Sequence, residues 1–228
     1  GYGNGLAVTG FRGEKNQTII FQNRFGNKPV IEIAAGSFES TQIEEAILTE
    51  GINRISEKAF ANCDKLHQVV LPMSVEEIAD NAFENCYHLK SISLPAMLKT
   101  IGNAALKGTG LRTIDLPKSV YWIGEALMAD CRDLERITIP DNINRISGSM
   151  FEGCTNLKKV NLPDSLNEIG DRAFFGCSSL DFVVIPDSVK QIGQDAFTNT
   201  DKQFIIQCSF GTYAEEYARK NKIKYQLV

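Results

Sequence analysis

The chain has 228 residues, of which 43% are hydrophobic, and a formal net charge of −4 at pH 7. This composition is sufficient for a buried core, while the mild acidity and the lack of a long basic run argue against nucleic acid as a partner. No apolar segment approaches the roughly 20 residues that span a bilayer, so we expect no membrane insertion by this chain.

Residues 1–25 are predicted to form an N-terminal cap segment. Residues 6–8 and 19–21 are apolar enough to form two short strands, and a turn around residues 12–15 would join them as a hairpin. Stacked repeats expose an apolar face at each end, which this hairpin is expected to cover. The glycine-rich residues 1–5 are typical of the trimmed start of a chain.

One pattern recurs eight times between residues 26 and 207, in units of 22 or 23 residues. The clearest unit begins at Leu162, the next at Ile185, and the faintest near Gly26. Two units lack one residue, just after Thr41 and just after Thr109. A period of this size indicates a stacked-repeat protein, in which each unit buries its apolar side against its neighbours.

Each unit predicts a strand, a turn and a corner. Residues 157–162 alternate as a short strand with one buried face, and Pro163 ends it because proline has no N–H to donate. Gly170 is predicted to take a positive φ at a bend, and the Ala-Phe pair at 173–174 to lie on one helical turn. Glycines in the same slot are Gly102, Gly124 and Gly193.

Residues 208–228 are predicted to form a C-terminal cap made of a helix and a strand. Thr212 and Glu215 have the spacing of a capping box, in which each side chain accepts an N–H at the start of a helix. Tyr217 and Ala218 continue an apolar face at helical spacing, and residues 223–227 alternate as a final strand.

The repeat reads L-x-x-(I/V)-x-(L/I)-P-x-S-(V/L)-x-x-I-G-x-x-A-F-x-x-C and resembles the BspA-like leucine-rich repeat over about four-fifths of the chain. The resemblance implies an α/β-type solenoid. Its right-handed superhelix would carry a parallel β-sheet on the concave face, with short helical turns and loops on the convex face. It also implies a bacterial protein at the cell surface or outside the cell, with a role in adhesion.

Five of the six cysteines recur at one slot of the repeat, which predicts a structural ladder along the stack. They are Cys63, Cys86, Cys131, Cys154 and Cys177. A disulfide between neighbouring coils is conceivable, but a run of three cannot pair completely, and no Cys/His spacing suits zinc. Buried reduced thiols are the favoured interpretation. We expect no metal and no cofactor.

Two candidate ligand-binding surfaces follow from the slots that the repeat leaves free. Residues flanking the buried position of each strand should form two columns on the concave sheet, with Arg136 and Lys159 in the middle and Phe182 and Val184 towards the C-terminal end. Such faces are common binding surfaces of solenoids, although β-branched residues also simply favour strands.

The second candidate is the pair Tyr121 and Trp122, which replaces polar residues found in the other units. Trp122 is the only tryptophan, and Arg145 one coil later is placed for a cation–π contact with it. Exposed aromatic residues of this kind often dominate interfaces. The alternative is that the pair covers a packing defect in two irregular units.

The predicted function is a non-enzymatic surface or secreted binding module for a host or matrix protein or a glycan. A structural spacer that holds another domain away from the cell surface is the alternative. The chain has only two histidines, His67 and His88, and nothing in the sequence orients either for catalysis. We expect a monomer.

Overall fold

The computed structural model describes residues 5–10 and 18–228, most of which form short parallel strands and turns. The strands are β1 (Leu6–Val8), β2 (Thr18–Ile20), β3 (Arg24–Phe25), β4 (Lys28–Ile33), β5 (Glu45–Ile47), β6 (Arg54–Ile55), β7 (Gln68–Val70), β8 (Glu77–Ile78), β9 (Ser91–Ser93), β10 (Thr100–Ile101), β11 (Thr113–Asp115), β12 (Trp122–Ile123), β13 (Arg136–Thr138), β14 (Arg145–Ile146), β15 (Lys159–Asn161), β16 (Glu168–Ile169), β17 (Phe182–Val184), β18 (Gln191–Ile192), β19 (Ile205–Cys208) and β20 (Lys224–Leu227). Among the described residues there is one α-helix, α1 (Tyr213–Lys220).

The strands stack in two ladders of parallel neighbours. Ladder A consists of three sheets, β2-β5-β7-β9, β11-β13-β15 and β17-β19-β20, and ladder B of two, β1-β4-β6-β8-β10-β12 and β14-β16-β18. Strand β3 pairs antiparallel with β4. Within each sheet, a strand residue pairs with its counterpart one coil on, as Val69 does with Ile92 in ladder A and Ile78 with Ile101 in ladder B. The sequence predicted ladder A. It identified ladder B only as a buried apolar pair, because most of its strands are two residues long and too short to alternate visibly.

Apolar side chains fill the space between the ladders in one continuous core. Phe60 stacks on Phe83 with ring centroids 5.3 Å apart, and Phe174 stacks on Phe197 at 5.2 Å. Each coil therefore covers the apolar side of the next one, which confirms the interpretation of the period.

The corner that carries the Ala-Phe pair is a run of turns, so the predicted helical turns and the α/β-type description do not hold. Lys58 and Asn62 have φ values of 54° and 58°, left-handed conformations that an α-helix of L-residues cannot contain. The N–H groups of Phe60 and Asn62 instead donate to the carbonyls of Ala82 and Glu84 in the next coil, at 2.8 and 2.7 Å. Backbone bonds that a helix would make internally are made between coils.

The repeated glycine is required by close packing and not by a positive φ, so that prediction was wrong. A Cβ added to Gly124 would lie 2.4 Å from the backbone nitrogen of Asn103, and one added to Gly170 would lie 2.7 Å from that of Gly148. The left-handed residue lies two positions later, at Ala126 with φ 53° and Arg172 with φ 55°.

The sequence predicted the structure of the C-terminal cap better than that of the N-terminal cap. α1 begins after Thr212, whose Oγ1 accepts the Glu215 N–H at 3.4 Å, and Tyr217 packs edge-on against Phe197 with centroids 6.2 Å apart. This helix and the strand after it confirm the predicted elements.

At the N-terminal end, β1 pairs with β4 and β2 pairs with β5. These strands are therefore the first rungs of both ladders and not a hairpin, and the predicted turn at 12–15 lies outside the described residues.

Five of the cysteines occupy equivalent positions in the coils, as the predicted ladder requires, and all six cysteines are free and buried. The Cys154 thiol donates to the carbonyl of Met128 at 3.0 Å, and the Cys177 thiol to that of Phe151 at 3.1 Å. Thr109 takes the same slot, with Oγ1 donating to the Leu106 carbonyl at 2.9 Å. Both residue types therefore donate to a buried turn carbonyl, cysteine to one in the preceding coil and threonine to one in its own coil.

The glycine slot gives the first prediction. Gly124→Ala should lower the free energy of unfolding by about 1–3 kcal/mol, because the added methyl group overlaps a neighbouring backbone that cannot move alone. Ala126→Gly, two residues later, should change it by less than about 1 kcal/mol, because relief of left-handed strain offsets the greater freedom of the unfolded chain. Urea unfolding of both variants measures the difference. A neutral Gly124→Ala would contradict the close-packing argument.

The buried thiols give the second prediction. Burial raises the pKa of Cys131 from 9.0 to about 11 and that of Cys177 to about 12, and the thiolate is the reactive form. An aromatic disulfide reagent at pH 8 should therefore label none of the six thiols in the native chain and all six in urea. Rapid labelling of the native protein would contradict the burial of the six cysteine thiols.

Candidate ligand-binding surfaces

The predicted surface columns are formed by the first and third residues of the ladder A strands. Register places Arg136 beside Lys159 and Thr138 beside Asn161. In β13 the burial pattern is exposed, buried, exposed, because successive strand residues point to opposite sides. The structure thus confirms the columns, while their role in binding remains a prediction.

The middle of this surface carries two positive charges that make no direct ion pair among the described residues. Neither Arg136 nor Lys159 belongs to an ion pair with any described residue. Adjacent strands lie about 4.8 Å apart, so two cations in register repel each other and favour an anionic partner. Phe182 and Val184 follow in the next coil, 39% and 48% exposed. The combination is a basic strip that ends in an apolar patch.

Tyr121 and Trp122 lie on the other ladder. Trp122 pairs with Thr100 in ladder B, and the two aromatic side chains are 65% and 47% exposed. Arg145 also lies on ladder B, in β14. The two predicted surfaces therefore lie on different ladders, in agreement with their prediction as separate candidates.

A groove of about 350 Å³ runs along ladder B next to Trp122. Its wall includes Thr100 and Glu77, and the Glu77 carboxylate lies 3.3 Å from the Arg54 guanidinium. Gly102 lies at its edge and adds no side chain. The groove thus offers an indole face, a hydroxyl and an ion pair to a ligand.

Arg145 does not make the predicted contact with the indole. Its Nε lies 3.1 Å from Glu168 Oε1, and the cation–π pairs among the described residues are Arg172 with Phe175 and Arg219 with Tyr225. Ladder B is interrupted between β12 and β14 as far as the described strands extend. Trp122 therefore lies at an edge of a sheet, which keeps the packing alternative open.

Metal-ligating side chains are not clustered in the described part of the chain. The described residues contain no cluster of three or more His, Cys, Asp or Glu side chains placed to hold a metal ion. His88 is exposed, with Nδ1 2.6 Å from the carbonyl oxygen of Asp64. In the part of the chain described, no helix has the length and apolarity needed to cross a membrane.

Two features of the repeat escaped the sequence analysis. The serine two residues after the proline links neighbouring coils by a hydrogen bond. Ser119 Oγ donates to the Leu98 carbonyl at 2.6 Å, and Ser188 Oγ donates to the Leu166 carbonyl at 2.6 Å. Its recurrence in the motif was the available signal. The second feature is Tyr87, which is 56% exposed and lies next to the unit that lacks a residue after Thr109.

A family model described as the BspA type leucine rich repeat region matches this chain in six copies, over residues 10–109 and 76–203. A leucine-rich repeat protein from Bacteroides ovatus is similar to the whole chain, with 27% identity and a TM-score of 0.82. A leucine rich cell surface protein from Faecalibacterium prausnitzii is similar over 90% of it, with 26% identity and a TM-score of 0.63. The T. pallidum leucine-rich repeat protein shares the fold over 98% of the chain, with 23% identity and a TM-score of 0.73.

The chain spans only part of two of these proteins. It covers 64% of the Bacteroides ovatus chain and 50% of the Faecalibacterium prausnitzii chain, but 91% of the T. pallidum chain. A comparison with curated proteins gave no match.

Proposed function

The chain belongs to the BspA-type leucine-rich repeat family, and from this premise we propose that it is a non-enzymatic module that binds a protein partner. We further propose that it acts at the bacterial cell surface or outside the cell. The similarity to a leucine rich cell surface protein supports that location.

The observation that carries the proposal is the exposed Tyr121–Trp122 pair beside the ladder B groove. Tryptophan, tyrosine and arginine are the residues on which protein interfaces most often depend, because they bury a large area at little cost in conformational entropy. The groove beside Trp122 can accept a partner side chain, and the Arg54–Glu77 pair can bond its polar groups. The basic strip at Arg136 and Lys159 would add attraction for an acidic partner.

The second candidate function is a structural spacer, which the interruption of ladder B next to Trp122 favours. In that case the indole covers the strand edge at the irregular coil and contacts no partner. The two functions predict different consequences when Trp122 is shortened.

Trp122→Ala should abolish binding to the protein ligands detected on an array of extracellular-matrix proteins. The free energy of unfolding should fall by less than about 1 kcal/mol, because the side chain is half exposed. Array binding and urea unfolding measure the two effects.

The matched controls are Tyr87→Ala, an exposed aromatic outside the groove, and the double variant Arg136→Gln/Lys159→Gln on the other ladder. We expect Tyr87→Ala to retain protein binding and the double variant to weaken it mainly at low salt. Intact binding by Trp122→Ala together with a large loss of stability would support the spacer and overturn the binding proposal.

A further inference from the structure

The unit that lacks one residue leaves a notch in an otherwise continuous ridge of the stack. Most coils place two residues between the cysteine slot and the strand leucine, such as Arg132–Asp133 after Cys131. The coil of Thr109 has only Gly110 there, and Gly110 is buried. The resulting cavity has a volume of about 480 Å³ and is lined on one side by Asn85 and Tyr87 and on the other by Asp130, Arg132 and Asp133.

The floor of the notch consists of backbone that allows no side chain. A Cβ on Gly110 would lie 2.3 Å from the carbonyl oxygen of Tyr87, and one on Gly108, at φ +68°, would lie 3.4 Å from Tyr87 Cε1. The tyrosine ring therefore lies against a glycine surface and remains 56% exposed. An aromatic ring that is exposed beside the space left by the missing residue can stack against a flat apolar surface of a ligand.

The charges around the notch balance. Lys90 Nζ lies 2.7 Å from Asp133 Oδ2 across the missing residue, so these two groups form an ion pair. Asp130 and Arg132 contribute one further charge of each sign. A balanced rim favours a neutral ligand, and the carboxylate, guanidinium and Asn85 amide supply acceptors and donors for hydroxyl groups.

We propose that the notch is a carbohydrate site that holds one pyranose residue of a glycan. The C–H face of the sugar stacks on Tyr87, and its hydroxyl groups bond Asp130, Arg132 and Asn85. The other short unit provides a comparison within the chain. It has Gln42 in place of Gly110 and Asp64 in place of Arg132, so it lacks both the glycine floor and the guanidinium.

The test is saturation-transfer NMR and titration with a panel of neutral methyl pyranosides, applied to the full chain. At least one pyranoside should bind, and Tyr87→Ala should weaken it by about tenfold or more, the loss expected when a stacking ring is removed. Tyr87→Trp should retain binding. Inserting one serine after Gly110, which restores the common unit length, should fill the notch and abolish binding while the chain remains folded by circular dichroism.

Two controls separate this proposal from the others. The double variant Tyr87→Ala/Ser178→Tyr carries a ring in the same slot of a coil that has no missing residue, and it should not regain binding. Trp122→Ala should leave pyranoside binding unchanged, so the notch and the ladder B groove can fail independently. The proposal is overturned if no pyranoside binds at millimolar concentration, or if Tyr87→Ala and the serine insertion bind as the unaltered chain does.

Discussion

Stability in this fold depends on hydrogen bonds between neighbouring coils. A corner residue such as Phe60 donates its N–H to the next coil, at Ala82, and the strand residues do the same through the two ladders. Since a buried N–H or carbonyl without a partner is costly, no coil can leave the stack without exposing groups on both neighbours. The 23-residue period follows from this constraint, because only a coil of constant length brings equivalent atoms into register.

Departures from the period are therefore informative. In the described chain, ladder A is interrupted between β9 and β11, at the missing residue after Thr109, and again between β15 and β17, while ladder B is interrupted after Trp122. In the same coils Leu106 and Met128 replace phenylalanine in the aromatic stack. The middle of the solenoid is thus its least regular part, and it carries both the notch and the exposed indole. Local violations of a sequence pattern are expected where a protein carries a binding site.

The repeat made much of the fold predictable, because one slot pattern seen several times fixes which residues are buried. Phe174 and Cys177 illustrate this: their slots alone placed both in the core. The corner conformation was not predictable from the Ala-Phe pair, since left-handed residues at Lys58 and Arg172 carry no glycine or proline signal. The candidate sites were harder to predict. The slots of Trp122 and Arg136 indicated that both are exposed and that they belong to different surfaces, but the Tyr87 notch depends on a residue that is absent.

Removing one coil tests most directly whether the coils are structurally equivalent units that can replace one another in the stack. Residues 162–184 form one complete unit, and their deletion should leave a soluble protein that unfolds in a single transition, with an m-value lower by about one tenth because less surface is buried. Deleting only residues 162–173 should prevent folding, because every later slot then falls out of register with the coil before it. If both deletions unfold the chain alike, or if the half-unit deletion folds as well as the whole-unit deletion, the account is contradicted.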